Sequence, residues 1–295
     1  MPTSHMQTLS DPDAANAMKI HLVAIDLDGT LLNSAKEITE ATASILRAAR
    51  EQVGLHIVLA TARPPRSVMP FHDLLDLDTP MINYNGALVL DPGADRVVMH
   101  RPIPAKTCRG IIQLARSVHA DVLVSAEVMD RWYTDRFDPT YNTETGLLFE
   151  PDLVAPVEQW ADQSMTKLLL LGRPDRLVEV AHAVRDRFGR QVATVQTEGH
   201  MIQIMHATVS KARALRVVAA EMNLRRGQVM AIGDNANDVG MLQWAGIAVA
   251  MANASPEALA VADHVADHHD ADGAAHAVRQ LILEGLPPNR GNDSR

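Results

Sequence analysis

The stretch Ile20–Leu32, IHLVAIDLDGTLL, decides the fold. Its apolar run from Leu22 to Ile25 predicts a buried parallel strand over residues 20–26. Asp26 and Asp28 stand at the C-terminal end of that strand, where open α/β sheets bind ligands. Residues two apart on a strand point the same way. Two carboxylates side by side repel each other and are costly to desolvate. A cation between them removes the difficulty, and carboxylate oxygens suit Mg2+. A DxDG by itself reads first as a surface turn, because Asp and Gly are common turn residues. The preceding strand, and partners further along the chain, reverse that reading.

Outward from this stretch the pattern alternates. Thr39 caps a helix running to Gln52, with Ala41, Ile45, Ala48 and Ala49 on one face and Gly54 as its stop. LHIVLA at 55–60 is a second strand ending at Thr61-Ala62-Arg63-Pro64, a short helix covers 65–75, and MINY at 81–84 is a third strand ending at Asn85-Gly86. Strand, helix, strand, helix, strand means parallel pairing with right-handed crossovers. The pattern then changes. Residues 87–100 read as a hairpin turning at Asp91-Pro92-Gly93-Ala94, followed by a helix over 104–119 and a strand over 121–126. Residues 130–157 read as irregular, with Trp132, Tyr133, Phe137, Tyr141 and Phe149 serving as domain core or a substrate-facing loop. A strand at 165–171, a helix at 174–188 and strands at 191–196 and 200–205 complete this section.

The alternation resumes with a Ser210-capped helix to Met222, a strand at 228–233 ending at Asp234, and a helix from Asn237 to Trp244. A strand at 247–251, a helix from Ser255-Pro256-Glu257 and a last helix over 272–284 follow. The fold class is therefore α/β, a Rossmann-like parallel-sheet core split into 19–86 and 205–286, with a smaller α/β domain inserted at 87–204. Residues 1–18 read as a flexible extension and 287–295 as a tail.

Bulk properties narrow the function. The chain has 295 residues, 47% of them hydrophobic, and no apolar run reaches the roughly 18 residues of a membrane span. Its start has neither the basic nor the apolar region of a secretory signal. A formal net charge of −9 argues against non-specific nucleic-acid binding, while a local metal and lysine still suit an anionic substrate. One cysteine, Cys108, excludes an internal disulfide; it reads as a packed small residue and fits a cytoplasmic setting.

Asp26-Leu27-Asp28-Gly29-Thr30-Leu31-Leu32 resembles the first signature of the haloacid dehalogenase-like hydrolases, and most of all that of the Cof-type phosphatases. The resemblance spans the core segments and the insertion point of the family's larger caps, which implies that the inserted domain at 87–204 is a cap domain. It implies that Asp26 is a nucleophile forming an aspartyl-phosphate, and Asp28 a general acid and base whose backbone carbonyl binds the metal. An acid at position 28 argues for phosphate esters over carbon–halogen bonds. Thr61 resembles the second signature, a hydroxyl on the phosphoryl group, although Ala62 replaces the family's usual Gly; read in isolation, Thr61 is a helix cap. Asn85 orients Asp28 or the substrate, or shapes a turn. Lys211 resembles the third signature and balances Asp26 and the phosphate; Thr208 and Ala212 stand where the family often has Gly. Gly233-Asp234-Asn235-Ala236-Asn237-Asp238 resembles the fourth, with Asp234 a metal ligand beside Asp26, Asp238 a support for the metal, and Asn237 a phosphate contact.

The function implied is Mg2+-dependent hydrolysis of a small phosphorylated metabolite, a sugar phosphate or phosphorylated cofactor, with specificity in residues 87–204. A phosphomutase of the same superfamily and a non-catalytic sensor of a phosphorylated ligand are the alternatives; neither nucleic acid nor membrane is a partner. His268-His269 with Asp267, Asp270 and Asp272 fits no standard zinc spacing and reads as a solvated loop with a helix cap.

Overall fold

The structure, a computed structural model, describes residues 19–141 and 144–285. The expected extension at 1–18 and tail at 287–295 lie outside the described residues. The chain falls into two compact units. Among the described residues, one comprises 19–25, 29–57 and 219–285, and the other 26–28 and 58–218 apart from 142–143.

The first unit is built on a parallel sheet. Leu22–Ile25 is fully buried and pairs in register with Val229–Gly233, Leu22 opposite Val229 and Ile25 opposite Ile232. Ile247–Met251 and then His264–Ala266 extend the sheet on that side, also parallel. The opposite edge of this unit begins at His56, whose N–H donates to the His21 carbonyl at 2.9 Å. Strands of this kind are apolar throughout because both faces are covered. The helix Glu40–Val53 begins at Thr39, whose hydroxyl accepts the Thr42 N–H at 3.0 Å, and stops at Gly54 in the left-handed conformation (φ 68°). It packs on the C-terminal helix Gly273–Val278, which continues as a π-turn over Arg279–Leu283. His264–Ala266 carries no apolar run; a three-residue strand with a polar first residue leaves no periodicity to find in the sequence.

The second unit carries two sheets. Met81–Asn83, Leu88–Asp91 and Arg96–His100 form an antiparallel trio, and a parallel bridge joins Ala60 to Ile82. The larger sheet runs in the order Val192–Glu198, Met201–His206, Lys167–Leu171, Leu123–Val128, Arg131–Thr134, Leu153–Val154. Helices Ala105–Val118 and Pro174–Phe188 cover one face, where Ile111, Val124, Leu168, Leu170, Val180 and Ile204 share a buried core. Residues of the opposite parity, Leu123, Leu169 and Leu171, lie on the other face with Met201. Cys108 is buried in the helix-covered core, as a packed small residue.

Residues 130–157 are more ordered than their composition predicts. Val128 pairs with Arg131, so Leu123–Val128 and Arg131–Thr134 form a tight hairpin. Its turn is Met129-Asp130, with Met129 at φ 58°. A hairpin turn without Gly or Asn gives no sequence signal. Trp132 is buried and donates its indole N–H to Ser125 Oγ at 2.6 Å, Tyr133 stacks on Trp160 at 6.2 Å, and Phe137 stays 56% exposed. The aromatic cluster therefore divides between core and surface. Among the described residues, no helix is long and apolar enough to cross a membrane.

Candidate active site

In the second unit, the segment Asp26–Asp28 directly continues the strand Leu22–Ile25. Asp26 is buried, and Lys211 Nζ donates to its Oδ1 at 2.7 Å. Lys211 is fully buried at the first residue of the helix Lys211–Glu221. A cation at a helix N-terminus opposes the helix dipole, so the position is explained by the carboxylate it meets. Asp28 meets a different cation. Arg63 Nε donates to its Oδ2 at 2.7 Å and Arg63 Nη2 to its Oδ1 at 2.6 Å, a two-pronged pair of the kind guanidinium geometry favours. Sequence reasoning missed this partner. The available signal is position: Arg63 stands two residues beyond Thr61 at a strand end.

Thr61 is buried; its N–H donates to the Ile82 carbonyl at 2.8 Å and its Oγ1 accepts the Arg63 N–H at 3.2 Å. The following helix, Pro65–Leu74, starts from Pro64, so Thr61 is a turn residue and no helix cap. The Asn85 N–H donates to the Thr61 carbonyl at 2.8 Å, which brings positions 61 and 85 together. Tyr84 and Asn85 both take left-handed backbone angles (φ 50° and 56°), conformations rare outside glycine. Gly86 follows at φ 93°, and a Cβ there would collide with the Ser210 carbonyl. That close approach sets the Asn85–Gly86 turn against the start of the helix that carries Lys211.

In the first unit, Asp234 follows the end of Val229–Gly233, and Thr30 Oγ1 donates to its Oδ1 at 2.9 Å. Gly29 (φ 79°) lies against the same carboxylate: a Cβ there would stand 2.5 Å from Asp234 Oδ2. Asp238 is buried, and its Oδ2 accepts the N–H groups of Asp234 (3.1 Å) and Asn235 (3.0 Å). It thereby fixes the backbone of the 234–235 turn. Asn237 is exposed and precedes the helix Val239–Trp244 by two residues, so the predicted helix start lies slightly early.

The 267–272 loop is anchored more firmly than a solvated loop. His269 Nδ1 bonds the Leu32 carbonyl at 2.9 Å, Asn253 Nδ2 donates to the Gly29 carbonyl at 2.8 Å, and Asn253 Oδ1 accepts the His269 N–H at 3.1 Å. Asp270 accepts both the N–H and the hydroxyl of Ser34 at 2.7 Å. Asp272 stands at the N-cap of Gly273–Val278 but makes no side-chain cap there; its Oδ1 accepts the hydroxyls of Thr39 (2.6 Å) and Thr42 (2.8 Å). His268, His269 and Asp270 lie close enough together for metal ligation, yet His269 and Asp270 are engaged with Leu32 and Ser34, and His268 Nδ1 accepts the Asp270 N–H.

Comparison with known proteins adds four findings. A family model described as haloacid dehalogenase-like hydrolase matches residues 23–278. YxeH of Bacillus subtilis (strain 168) is 32% identical over 272 residues, covering 89% of this chain and 98% of that protein. The 5-amino-6-(5-phospho-D-ribitylamino)uracil phosphatase YitU of the same organism is 25% identical over 267 residues, covering 90% and 98%. A crystal structure of a haloacid dehalogenase-like hydrolase from Bacteroides thetaiotaomicron superposes with a TM-score of 0.80 at 26% identity, covering 89% of this chain and all of that one.

Proposed function

The chain belongs to the haloacid dehalogenase-like hydrolases and is a phosphatase of that family, and we propose that it hydrolyses a small phosphorylated metabolite through an aspartyl-phosphate formed on Asp26. The observation that carries this reading is the buried Asp26 carboxylate held by the Lys211 ammonium at 2.7 Å. An anion so placed at a strand's C-terminal end has lost its hydration shell, and the lysine offsets its repulsion from an incoming phosphate. Asp26 attacks phosphorus through a carboxylate oxygen. The ester P–O bond breaks, and the leaving oxygen takes a proton from Asp28. Asp28 then accepts a proton from water as that water attacks phosphorus, releasing inorganic phosphate and restoring Asp26. Arg63 holds the Asp28 carboxyl through both oxygens, which fixes its orientation. Thr61, Asn85 and Asn237 are the proposed phosphate and substrate contacts.

The carboxylates Asp26 and Asp234, with the Asp28 carbonyl, are the proposed holders of Mg2+. Ile25 and Ile232 pair on adjacent parallel strands, so Asp26 and Asp234 each follow a strand end. An all-oxygen, mostly anionic donor set fits that hard cation. Bound there, Mg2+ would supply charge neutralisation at the phosphoryl oxygens. Asp238 supports this arrangement by fixing the Asp234 backbone. Residues 87–204 are the proposed cap, which selects the leaving group and excludes bulk water. The ribitylaminouracil phosphatase among the relatives supports a phosphorylated metabolite as the substrate class. The free, buried Cys108 fits the proposed cytoplasmic setting.

The test is phosphate release from a panel of phosphorylated metabolites, with and without Mg2+, for the wild type, Asp26→Asn and Asp28→Asn. The expected result is Mg2+-dependent release that falls to background in Asp26→Asn. In Asp28→Asn it falls by about 10²–10⁴-fold, the usual worth of general acid–base catalysis. Release unchanged in Asp26→Asn refutes the nucleophile.

A further inference from the structure

The strand Lys167–Leu171 is one lysine followed by four leucines, all buried. Leu168 and Leu170 face the helix-covered core, whereas Leu169 and Leu171 face the other side of the sheet. Lys167 shares the parity of Leu169 and Leu171, so it belongs to the helix-free face. It is only 9% exposed, and its Nζ lies 5.2 Å from the centroid of the Tyr84 ring. Ordering a lysine here costs side-chain entropy and ammonium hydration. The site must return something for that cost.

The neighbouring carboxylate does not supply it. Glu127 is the cross-strand partner of Lys167 and is itself buried. Both its oxygens are already engaged. Arg66 Nη2 donates to Oε1 at 2.7 Å and to Oε2 at 2.9 Å, and the Tyr84 hydroxyl donates to Oε2 at 3.1 Å. Arg66 also holds Asp130, through its N–H and its Nη1, both at 3.1 Å to Oδ1. Arg66 thus contacts both Glu127 and Asp130 directly, while Lys167, the second positive charge of the group, attracts Glu127 at longer range. Among the described residues, no acceptor meets the Lys167 ammonium within hydrogen-bond distance and no carboxylate within ion-pair distance. One π face serves a group with three N–H donors.

The position of this ammonium tells what it waits for. Tyr84, beneath it, is bonded to Asn85, and the Tyr84 N–H donates to the Arg63 carbonyl at 3.2 Å. Arg63 in turn holds Asp28, the proposed proton donor to the leaving oxygen. Lys167 therefore stands over the segment that serves the leaving group, on a strand of the proposed cap.

We propose that Lys167 is a specificity-determining residue that binds an anionic oxygen, best a carboxylate, on the leaving group of the substrate. The inference rests on the phosphatase reading and adds a substrate class to it: phosphate esters whose alcohol carries a second acidic group. The Arg66–Glu127–Tyr84 set is the frame that holds the lysine's surroundings and keeps Glu127 from closing on it.

The test compares 6-phosphogluconate, which carries a distal carboxylate, with p-nitrophenyl phosphate, which carries none, in the full-length protein with Mg2+. The readout is the ratio of their kcat/KM values in the wild type, Lys167→Met and Lys167→Arg. The expected result is a ratio at least about tenfold lower in Lys167→Met, the scale of one hydrogen bond to a charged group. The loss should fall on KM for 6-phosphogluconate, and Lys167→Arg should restore part of it. A ratio within twofold of wild type overturns the proposal, because a purely structural lysine lowers both substrates together. Should Lys167→Met fail to fold, the ratio is read in Lys167→Gln. A wild type that releases phosphate from neither compound refutes the reaction itself, an outcome distinct from an unchanged ratio.

Discussion

Lys211→Met isolates the contribution of the Asp26–Lys211 pair. Methionine keeps most of the side chain's length and removes its charge. Lys211 has 0% exposure and Asp26 5%, and they meet at 2.7 Å. Removing the ammonium leaves a buried carboxylate with little water and without its closest positive charge, a loss of about 3–5 kcal/mol for a buried pair. Domains are commonly stable by roughly 5–15 kcal/mol, so the variant should unfold at visibly lower denaturant. Urea unfolding with a chelator present is the assay, because a divalent cation at Asp26 would stand in for the lysine. Each unit's transition is fitted separately, since two compact units need not unfold together. The double variant with Asp26→Asn removes the orphaned charge and should recover most of the loss, since a neutral pair carries no such penalty. A Lys211→Met protein within about 1 kcal/mol of wild type, or a double variant no better than the single, refutes the reasoning.

Three further outcomes follow from the geometry. Gly29→Ala places a Cβ 2.5 Å from Asp234 Oδ2 at a backbone φ of 79°; the Mg2+ concentration needed for half-maximal activity should rise, as read by metal titration, while Gly54→Ala, with nothing near its Cβ, should leave it unchanged. Burial holds the His100 imidazole below its usual range, with Nε2 bonded to Thr166 Oγ1 at 2.9 Å. The unfolded chain therefore binds the proton first as pH falls below 6.5, so the group costs stability in that direction; His100→Gln should lose less stability than wild type between pH 7 and 5 in melting curves. Burial pushes the Cys108 thiol up to about 12, so a thiol reagent at pH 8 should label it only after denaturant is added.

The sequence speaks clearly where one local signal suffices. The run Leu22–Ile25 has only one comfortable home, a strand covered on both faces, and Thr39 and Gly54 bound the next helix by capping chemistry alone. Lys211 at a helix start is a local conflict that its meeting with Asp26 explains. Signals spread over distant residues are harder to read. Nothing in Thr61-Ala62-Arg63-Pro64 says that the arginine reaches back 35 positions to Asp28. The Met129-Asp130 turn lacks the Gly or Asn that most clearly announces a hairpin, and His264–Ala266 is too short to show a period. The His268-His269 pair draws attention as possible metal chemistry, whereas His269 bonds the Leu32 carbonyl and the Asn253 side chain, and His268 Nδ1 accepts the Asp270 N–H within the loop.

That anchoring also bears on the order in which the protein can be finished. Ser34 is held by Asp270, 236 positions later, and Thr39 by Asp272, 233 positions later. A ribosome releases the first signature long before it makes the residues that clamp it. Through most of synthesis the loop at residues 29–34 lacks these anchors, and it is clamped only when residues 267–272 arrive. A stalled or clipped product would carry the first signature and lack the clamp, so the fold withholds a finished 29–34 loop from incomplete chains.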